Sequence, residues 1–363
     1  MKRNQQITIR EIASKAGVSI GTVDRVLHNR GRVSHKTRVK IEAIVKKFGY
    51  KPNPLARHLK LKKEYHFFIV SPCRDEDSGY WGMVFEGIHR AAEELNPFGI
   101  HIHLKEFDRY SRESFWNTVL SIPQAHCDGL IVAPIMPNEM VRWLGELPTT
   151  IPYVFFDATL PEASPVTEIG QDPYSGGFLA GKLLCLFALK EQGTYCGIAP
   201  HSEDYHIKRR IEGFLGFWEG RQGYRTEVRT CVDMDHRETR EEFLHTLLDD
   251  IPNPKGIFVA NASAHAVAET LNRNNPFPIP IIGYDLVPEN ERLLREGLID
   301  VLISQRPAYQ GYQAVYQLYR HVVLQQEVQR KIPVPIHIYF KENLLMESSP
   351  DLEYEEAMVV FAD

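Results

Sequence analysis

Short apolar runs alternate with stretches of helical periodicity between residues 65 and 345. Most of these runs are continuously apolar, as in Gly129–Ala133 and Ile281–Tyr284. Continuous runs of this length are typical of parallel strands that are covered by helices on both faces. We therefore predict two doubly wound parallel sheets, one for each half of this region. The predicted strands are residues 66–71, 100–104, 129–133, 153–157, 167–170, 195–199, 226–232, 256–260, 281–284, 301–304 and 336–340.

The first 50 residues carry a different pattern, with three short helices marked by their capping residues. Thr8 and Glu11 form a capping box before a helix that ends at Gly17, and Ser19 caps the next helix. Ser34 caps the third helix. Two short helices joined by a glycine-containing turn are typical of a helix-turn-helix, whose second helix faces a DNA major groove. The apolar positions of the third helix are Val39, Ile41, Ile44, Val45 and Phe48.

The segment that follows, residues 51–64, is predicted to be a hinge. Pro52 and Pro54 interrupt the third helix, and Pro54 suits the first turn of a new one. Residues 55–60 could form only a short helix, and isolated helices below about 12–15 residues are marginal in water. We therefore expect a hinge helix that depends on a partner for its stability.

Charge is divided unevenly along the chain. Residues 1–63 contain 17 Lys and Arg against 3 Asp and Glu, a balance of +14, whereas the remaining 300 residues contain 25 basic and 44 acidic residues, a balance of −19. A basic segment gains free energy on a polyanion, because Lys and Arg displace condensed counterions from phosphates. The charge pattern therefore indicates nucleic acid as the partner of the N-terminal segment.

Several classes of protein are disfavoured by missing patterns. No apolar run approaches the ~18 residues of a membrane helix, and no apolar stretch follows the basic start as in an export signal. The five cysteines lack C-x-x-C spacing, which favours buried thiols in a reducing cytosol over disulfides or a zinc site. The common nucleophile, metalloprotease, P-loop and dinucleotide motifs do not occur. We expect a cytoplasmic protein that is not an enzyme, with no catalytic residue, metal or cofactor and no membrane contact.

The headpiece sequence closely resembles that of the lactose/galactose repressor (LacI/GalR) family of transcription regulators. The match runs through Ile9–Ser19, Thr22–Leu27 and Val33–Arg38 and needs no gap over about 60 residues. This resemblance implies sequence-specific binding to double-stranded DNA. It also implies that the hinge folds on DNA, with Leu59 as an apolar wedge in the minor groove.

Positions in this family's motif assign contacts to individual residues. Arg25 suits a guanine, because its guanidinium can bond O6 and N7 together, worth about 1–3 kcal/mol of discrimination. Ile20 offers an apolar surface for a thymine methyl group, and Gly21 has no side chain to contribute. The implied base-contacting residues are Ile20, Gly21 and Arg25; the implied contacts to phosphates or other groups are Thr8, Ser19, Thr22, His28, Asn29, Ser34, Lys36 and Arg38; and the implied minor-groove contacts are Asn53, Ala56 and Leu59.

Residues 65–345 resemble the type I periplasmic sugar-binding fold that regulators of this family share. Gly283-Tyr284-Asp285, Gln305 and Arg210 carry the match most clearly. In doubly wound sheets, ligands bind beyond the carboxyl ends of the strands. Carboxylates, amides and a guanidinium can hold the paired hydroxyls of a sugar, while an aromatic side chain covers its apolar face. The candidate effector-binding residues are Tyr80, Trp81, Asp157, Arg210, Asn261, Asp285 and Gln305.

These candidates also have ordinary structural interpretations. Asp285 suits a helix N-cap, and Gln305 suits a surface position. Arg210 could pair with the nearby Glu212, and Tyr80 and Trp81 could belong to the core.

The expected fold is an all-α headpiece followed by an α/β effector domain with two lobes, each a doubly wound parallel sheet. The expected boundaries are 1–50 for the headpiece, 51–64 for the hinge helix and linker, 65–345 for the effector domain and 346–363 for a C-terminal tail. Lobe 1 is expected at about 65–172 and 305–330, and lobe 2 at about 173–304 and 331–345.

The sequence thus predicts a DNA-binding transcription regulator whose operator affinity is switched by a small molecule between the lobes. A repressor is the favoured kind of regulator. A sugar is the favoured effector, with a purine or another polar molecule as the alternative, and an exported solute-binding protein is a more distant one. The tail lacks the leucine heptads of a tetramerising coiled coil. A homodimer on a near-palindromic operator is therefore expected.

Overall fold

The computed structural model describes residue 7 and residues 9–27, 33–48, 63–231, 233–273 and 278–344, except for the side chain of residue 24. The chain forms two compact units, residues 1–62 and 63–363. We call the first the headpiece and the second the two-lobed unit. Within these described ranges, no helix is long and apolar enough to cross a membrane.

The headpiece consists of α1 (Ile9–Ala16), α2 (Ile20–Leu27) and α3 (His35–Phe48). Each helix turns one apolar face towards a single small core. The buried side chains of this core are Ile12, Ala13, Ala16, Val23, Val26 and Ile41. The predicted helix-turn-helix is confirmed.

The turn between α1 and α2 depends on a glycine. Gly17 has a φ of +68°, a conformation that L side chains rarely adopt. The amide of Val18 donates to the carbonyl of Ala13 at 3.0 Å and closes the end of α1. The Ser19 hydroxyl then accepts from the amide of Thr22 at 3.2 Å and begins α2.

The apolar positions of α3 are only partly buried. Ile41 is fully buried, whereas Val39 is 50% exposed and Phe48 is 43% exposed. The ring of Phe48 lies beneath the ammonium groups of Lys15 and Lys47, with Nζ-to-centroid distances of 5.1 and 5.6 Å. A core this small cannot cover every apolar position of a 14-residue helix.

The first lobe is built on a sheet in which every paired neighbour is parallel. Its central strands are buried on both faces, as their continuous apolar runs predict. The strands are β1 (Tyr65–Pro72), β2 (Ile100–Phe107), β3 (Gly129–Val132), β4 (Tyr153–Phe156), β5 (Thr167–Gly170) and β11 (Lys331–Pro333), and their spatial order is β11-β5-β4-β3-β1-β2.

The second lobe repeats this plan. Its sheet is parallel except for the last strand, which runs antiparallel to its neighbour. The strands are β6 (Gly193–Pro200), β7 (Tyr224–Cys231), β8 (Gly256–Val259), β9 (Ile281–Tyr284), β10 (Val301–Ser304) and β12 (His337–Tyr339), in the order β12-β10-β9-β8-β6-β7. The expected pair of doubly wound sheets is confirmed.

Helices cover both sheets. Those of the first lobe are α4 (Tyr80–Leu95), α5 (Arg112–Leu120), α6 (Pro137–Glu146) and α12 (Pro307–Val322), and those of the second are α7 (Pro173–Phe187), α8 (Tyr205–Trp218), α9 (Arg237–Asp250), α10 (Ala264–Asn272) and α11 (Pro288–Glu296). Short 3₁₀ turns lie at Asp77–Gly79, Asn96–Phe98 and Gln124–His126.

Each lobe contains a pair of helices whose backbones touch at glycines. A Cβ atom on Gly87 of α4 would lie 1.8 Å from the carbonyl oxygen of Ala308 in α12. In the second lobe, a Cβ atom on Gly177 of α7 would lie 1.8 Å from the carbonyl oxygen of Arg210 in α8. Only glycine permits such contacts, and the second one fixes the backbone of a candidate site residue.

The chain crosses from the first lobe to the second for the last time after Pro333, later than the expected boundary at residue 331. The sequence places residues 331–345 in the second lobe, but Lys331–Pro333 form β11 and pair with Glu168–Gly170 of the first sheet. The chain enters the second sheet only at β12. The sequence did not predict β11, because this strand has three residues, two of them exposed, and no apolar run.

Candidate functional site

The outer face of α2 carries the candidate base-contacting residues. Ile20 is 41% exposed, and Gly21 and Arg25 are also exposed. Val23 and Val26 point from the same helix into the headpiece core. This division leaves an apolar side chain, a bare backbone position and a guanidinium free to meet base edges in a major groove.

The candidate phosphate contacts lie at the starts of helices. The hydroxyls of Ser19 and Thr22 are 2.9 Å apart at the start of α2, and Ser34 caps α3 by accepting from the amide of Thr37 at 3.3 Å. Helix N-termini favour anions, because their first amides have no partner within the helix. Lys36 is exposed and Arg38 is half-buried in the first turns of α3. The candidates Thr8, His28, Asn29, Asn53, Ala56 and Leu59 lie outside the described residues.

The two-lobed unit brings all seven candidate effector-binding residues around one space between its lobes, which we call the inner cleft. Six of them follow a strand or begin a helix at the carboxyl ends of the two sheets, where doubly wound folds bind ligands, and Arg210 reaches the same space from the second turn of α8. The free volume among the side chains is about 20 Å³, room for about one water molecule. The seven residues are Tyr80, Trp81, Asp157, Arg210, Asn261, Asp285 and Gln305.

The wall of the second lobe is a connected polar network. The guanidinium of Arg210 donates to the carbonyl of Ala260 at 2.8 Å and to the amide oxygen of Gln305. Gln305 in turn donates to both carboxylate oxygens of Asp285, from its backbone amide at 2.9 Å and its side chain at 2.8 Å. Arg210 also lies over the ring of Tyr284, 3.8 Å from the centroid. These bonds hold the polar groups in fixed positions before any ligand arrives.

The structure therefore separates the alternatives for these residues. Arg210 and Gln305 are buried, and Glu212 is bonded to Arg209 instead. Asp285 does not cap a helix, because α11 begins after Val287. Burial raises the pKa of Asp285 to about 6, against the hydrogen bonds from Gln305 that favour its ionised form.

The wall of the first lobe centres on Asp157. Its carboxylate accepts a hydrogen bond of 2.6 Å from the hydroxyl of Tyr80, and its backbone adopts a φ of +69° directly after β4. Such backbone strain is often found at binding sites. Burial raises the pKa of Asp157 to about 7, although the charge of Arg210 and the bond from Tyr80 oppose this shift.

The aromatic pair Tyr80-Trp81 belongs both to the core and to the cleft. Both side chains are buried in the first turn of α4. The indole of Trp81 donates to Asp77 at 2.8 Å and packs edge-on against Phe156. The pair therefore positions carboxylates as well as lining the cavity.

A second charged group in the inner cleft was missed by the sequence analysis. Arg109, which follows β2, is buried and bonds Asp77 of the first lobe and Asp204 of the second. Although burial opposes ionisation, Arg109 and His201 hold the pKa of Asp77 well below its usual range. Burial raises the pKa of Asp204, which has Arg109 and the Met136 amide as its donors. This ion-pair group ties the two lobes together.

His206 completes the cleft and was also missed. Its Nε2 atom lies 3.9 Å from a carboxylate oxygen of Asp157 across the lobes. Burial lowers the pKa of His206 well below its usual range, and the charges of Arg210 and Arg109 add to this effect. The imidazole is therefore neutral at pH 7. Arg109 lies two residues after β2, so the rule that selected Asp157 and Asp285 could also have found it, whereas His206 lies within the first turn of α8, where that rule does not apply.

Several buried atoms of the inner cleft have no hydrogen-bond partner among the described residues. They are Nε of Arg210, Nδ2 of Asn261 and Nδ1 of His206. An unpaired buried donor costs about 1–3 kcal/mol. A ligand that accepts from Arg210 and Asn261, forms a hydrogen bond with Nδ1 of His206 and donates to Asp157 would satisfy them, so the arrangement is suited to binding a small polar molecule.

Both parts of the chain match models of known families. Residues 8–53 match the model described as bacterial regulatory proteins, lacI family, and residues 68–326 match the periplasmic binding protein domain.

Curated relatives match along most of the chain. The ribose operon repressor of Lactococcus lactis subsp. lactis is 26% identical over 342 residues, which cover 93% of this chain and 98% of that protein. The HTH-type transcriptional repressor PurR of Serratia proteamaculans is 24% identical over 361 residues, covering 96% of this chain and 99% of the repressor. Both of these relatives, which match nearly the whole length of this chain, are named as repressors.

Solved structures match the two-lobed part. A putative LacI transcriptional regulator from Bacteroides fragilis has a TM-score of 0.70 at 25% identity, covering 77% of this chain and 98% of its own. GanP, a glucose-galactose binding protein from Geobacillus stearothermophilus, has a TM-score of 0.67 at 26% identity, covering 78% and 99%. Residues 68–326 therefore belong to the periplasmic binding protein domain family, residues 8–53 form a lacI-family DNA-binding domain, and the chain is a DNA-binding transcription regulator with an effector domain.

Proposed function

We propose that this lacI-family regulator is a cytoplasmic, non-enzymatic homodimer that binds a near-palindromic operator and senses a neutral sugar in its inner cleft. The observation that carries the sugar proposal is the convergence of buried, partly unpaired polar groups from both lobes on one space. A ligand held by both lobes prefers the closed arrangement and can shift DNA affinity only by its difference in affinity for the two arrangements.

The hydrogen-bonding groups of the cleft suit vicinal hydroxyls. Each hydroxyl both donates and accepts, so neighbouring hydroxyls can accept from Nε of Arg210 and Nδ2 of Asn261 while donating to Asp157. The second-lobe wall is already fixed by bonds among Arg210, Gln305 and Asp285. A preformed site loses less conformational entropy when it binds.

The charges of the cleft favour a neutral ligand over an anion. Among the described residues that line the inner cleft, Asp77, Asp157 and Asp285, together with Asp204 bonded to Arg109, face two guanidinium groups, and burial raises the pKa of three of these carboxyls. A sugar phosphate or sugar acid would add negative charge where carboxylates already lack cations. Ribose and glucose-galactose appear in the names of a relative and a structural neighbour, which agrees with a neutral sugar.

A purine is the second candidate, because PurR is among the relatives that span the chain. Purines present ring nitrogens and a flat aromatic face. A purine has fewer donors for the carboxylate of Asp157 than a sugar with several hydroxyls, and this difference favours the sugar.

On the DNA side, we propose that α2 contacts base edges through Ile20, Gly21 and Arg25. Ser19, Thr22, Ser34, Lys36 and Arg38, with Thr8, His28 and Asn29, would contact the backbone or other groups, and Asn53, Ala56 and Leu59 the minor groove. The balance of +14 over residues 1–63 supports this assignment. The affinity for duplex DNA should fall steeply between 50 and 200 mM salt, and a flat dependence in a fluorescence anisotropy titration would contradict it.

The sugar proposal is tested by a thermal-shift scan of the purified protein with ribose, glucose, galactose, gluconate, glucose 6-phosphate, hypoxanthine and guanine. At about 100 times its Kd, a ligand adds about 2.7 kcal/mol, a rise of about 4 °C in Tm for a unit of this size. We expect a rise with a neutral sugar and none with the two anionic derivatives.

Asn261→Asp sharpens this test. It removes the unpaired Nδ2 donor but keeps the oxygen that accepts from the amide of Ser263 at 3.0 Å. We expect the sugar-induced shift to disappear in this variant and to persist in the control Asn117→Asp, at an exposed position. A rise in Tm with hypoxanthine or guanine alone would mean that the effector is a purine and not a sugar.

A further inference from the structure

A second cavity adjoins the inner cleft, and we call it the lateral pocket. It lies between the lobes and beside the segments that connect them, and its free volume is about 310 Å³ against about 20 Å³ for the inner cleft. Ligand pockets commonly hold about 300–1,000 Å³. The lateral pocket is lined by residues 157–159, 168–173, 205, 206, 209 and 331–333.

The two spaces share a wall. Asp157 and His206 line both cavities, and Nε2 of His206 lies 3.9 Å from a carboxylate oxygen of Asp157. The Nδ1 atom of His206 is buried without a partner among the described residues, and only one Asp157 oxygen is bonded to Tyr80. A molecule that extends from one space to the other would pass this pair and could bond to both.

The walls of the lateral pocket combine apolar surface with polar edges. Ile169 is buried, Ile332 and Pro173 are partly buried beside it, and Tyr205 supplies an aromatic ring. The amide oxygen of Gln171 is buried and has no partner within the described chain. Apolar walls with a few fixed polar groups match the faces and hydroxylated edge of a sugar ring.

Both cations at the rim of the lateral pocket are paired with carboxylates. Lys331 lies 3.6 Å from Glu168, and Arg209 is bonded to Glu212. These pairs offer donors and acceptors to hydroxyls, and the carboxylate of Asp172, which accepts from the Tyr174 amide and the Ser175 hydroxyl, adds negative charge that disfavours an anion. The pocket therefore suits a neutral, hydroxylated occupant.

We propose that the effector is a disaccharide, with one ring in the inner cleft and the second ring in the lateral pocket. This inference rests on the proposed function, because it assumes that the first ring binds as a sugar in the inner cleft. The lobes must part slightly to admit that first ring, whereas the lateral pocket already has the size of a ligand site. Asp157 and His206 lie at the junction of the two rings.

The test is isothermal titration calorimetry of the full chain with glucose and galactose, and with maltose, cellobiose and lactose. At least one disaccharide should bind about tenfold more tightly than its constituent monosaccharides, from the apolar surface that the second ring buries. Thr159→Trp places a large side chain in the lateral pocket at a half-buried loop position. This variant should lose the tenfold preference.

The control is Thr149→Trp, an exposed position at the opposite, amino-terminal end of the same sheet, which should keep the preference. Tyr205→Ala is a second variant that removes the aromatic wall instead of filling the space, and it should also lower the ratio of disaccharide to monosaccharide affinity. Unfolding transitions of both variants exclude a general loss of structure.

Each outcome bears on a different claim. If a monosaccharide binds as tightly as every disaccharide, or if Thr159→Trp leaves the preference intact, the two-ring proposal is wrong and the sugar proposal stands. If none of these five sugars binds and ribose gives no shift in the thermal-shift scan, both proposals fail.

Discussion

The headpiece and the two-lobed unit place their functional side chains in opposite environments. In the headpiece, Ile20 and Arg25 are exposed on a helix whose other face supplies the core. In the two-lobed unit, Arg210, Asp157 and Asp285 are almost completely buried and bonded to their neighbours. Stability and function should therefore be separable in the headpiece and coupled in the two-lobed unit.

The partners of the two regions explain this difference. DNA is large and approaches from solvent, so the side chains that contact it must be exposed and basic. A small molecule is held by surrounding it, and polar groups around it interact more strongly in a medium of low dielectric constant. The cost is that each buried charge needs a partner at all times, as Arg109 has in Asp77 and Asp204.

The largest effect is expected for Arg210→Ala. This substitution leaves the carbonyl of Ala260 and the amide oxygen of Gln305 without a donor and opens a cavity over Tyr284. Loss of a buried, bonded charge should lower the free energy of unfolding by about 3 kcal/mol. Urea denaturation followed by tryptophan fluorescence measures it.

Fluorescence isolates the relevant unit, because all four tryptophans lie beyond residue 62. The control Lys208→Ala removes an exposed cation from the same helix and should change stability by less than about 0.5 kcal/mol. If Arg210→Ala were as stable as this control, function and stability would not be coupled in the cleft.

The next effect concerns the headpiece, where Arg25→Ala should leave stability unchanged. Its guanidinium is exposed, so the headpiece core does not depend on it. The discrimination between the selected operator and a variant altered at one guanine should fall by about 1–3 kcal/mol. Competition binding at fixed salt, with an operator selected from random duplexes, measures this difference.

Lys36→Ala serves as the matched variant for Arg25→Ala. A phosphate contact should weaken binding to all duplexes alike and lower the salt slope by about one. Equal losses of discrimination in the two variants would mean that Arg25 contacts phosphate rather than a base.

Much of this architecture could be predicted from the sequence because its signals are local. The continuous run Ile281–Tyr284 matches β9, and the capping residues Ser19 and Ser34 mark the starts of α2 and α3. Residues that follow strands, such as Asp157 and Asp285, were found because parallel sheets gather them at one edge. Their gathering around one cavity in the structure follows from this topology.

The remaining features depend on contacts between segments that are far apart in the chain, and the sequence does not show which distant segments meet. Arg109 and Asp204 are separated by 95 positions, and nothing in their local sequence indicates that they meet. The strand β11 has no pattern of its own and forms only because Glu168–Gly170 provide an edge for it. The pairing of Tyr80 with Asp157, and the lateral pocket beside it, likewise come from packing between distant segments.

The smallest effect is a change in pH dependence for Asp157→Asn. Because burial raises the pKa of Asp157 to about 7, the carboxyl is neutral in both states below pH 4, and only the unfolded chain ionises it freely between pH 4 and 7. The contribution of Asp157 to wild-type stability should therefore fall as the pH rises through this range, and the contribution of Asp285, with a pKa of about 6, falls as well. Asparagine cannot ionise, so the variant should lose at least about 1 kcal/mol less between pH 4 and 8, since one pKa unit corresponds to about 1.4 kcal/mol. Urea denaturation at both pH values measures the change, and the exposed control Asp249→Asn should follow the wild type. Identical pH profiles for Asp157→Asn and the wild type would show that folding does not shift the pKa of this carboxyl. The contrast between the buried groups of the cleft and the exposed groups of the headpiece would then not hold at this residue.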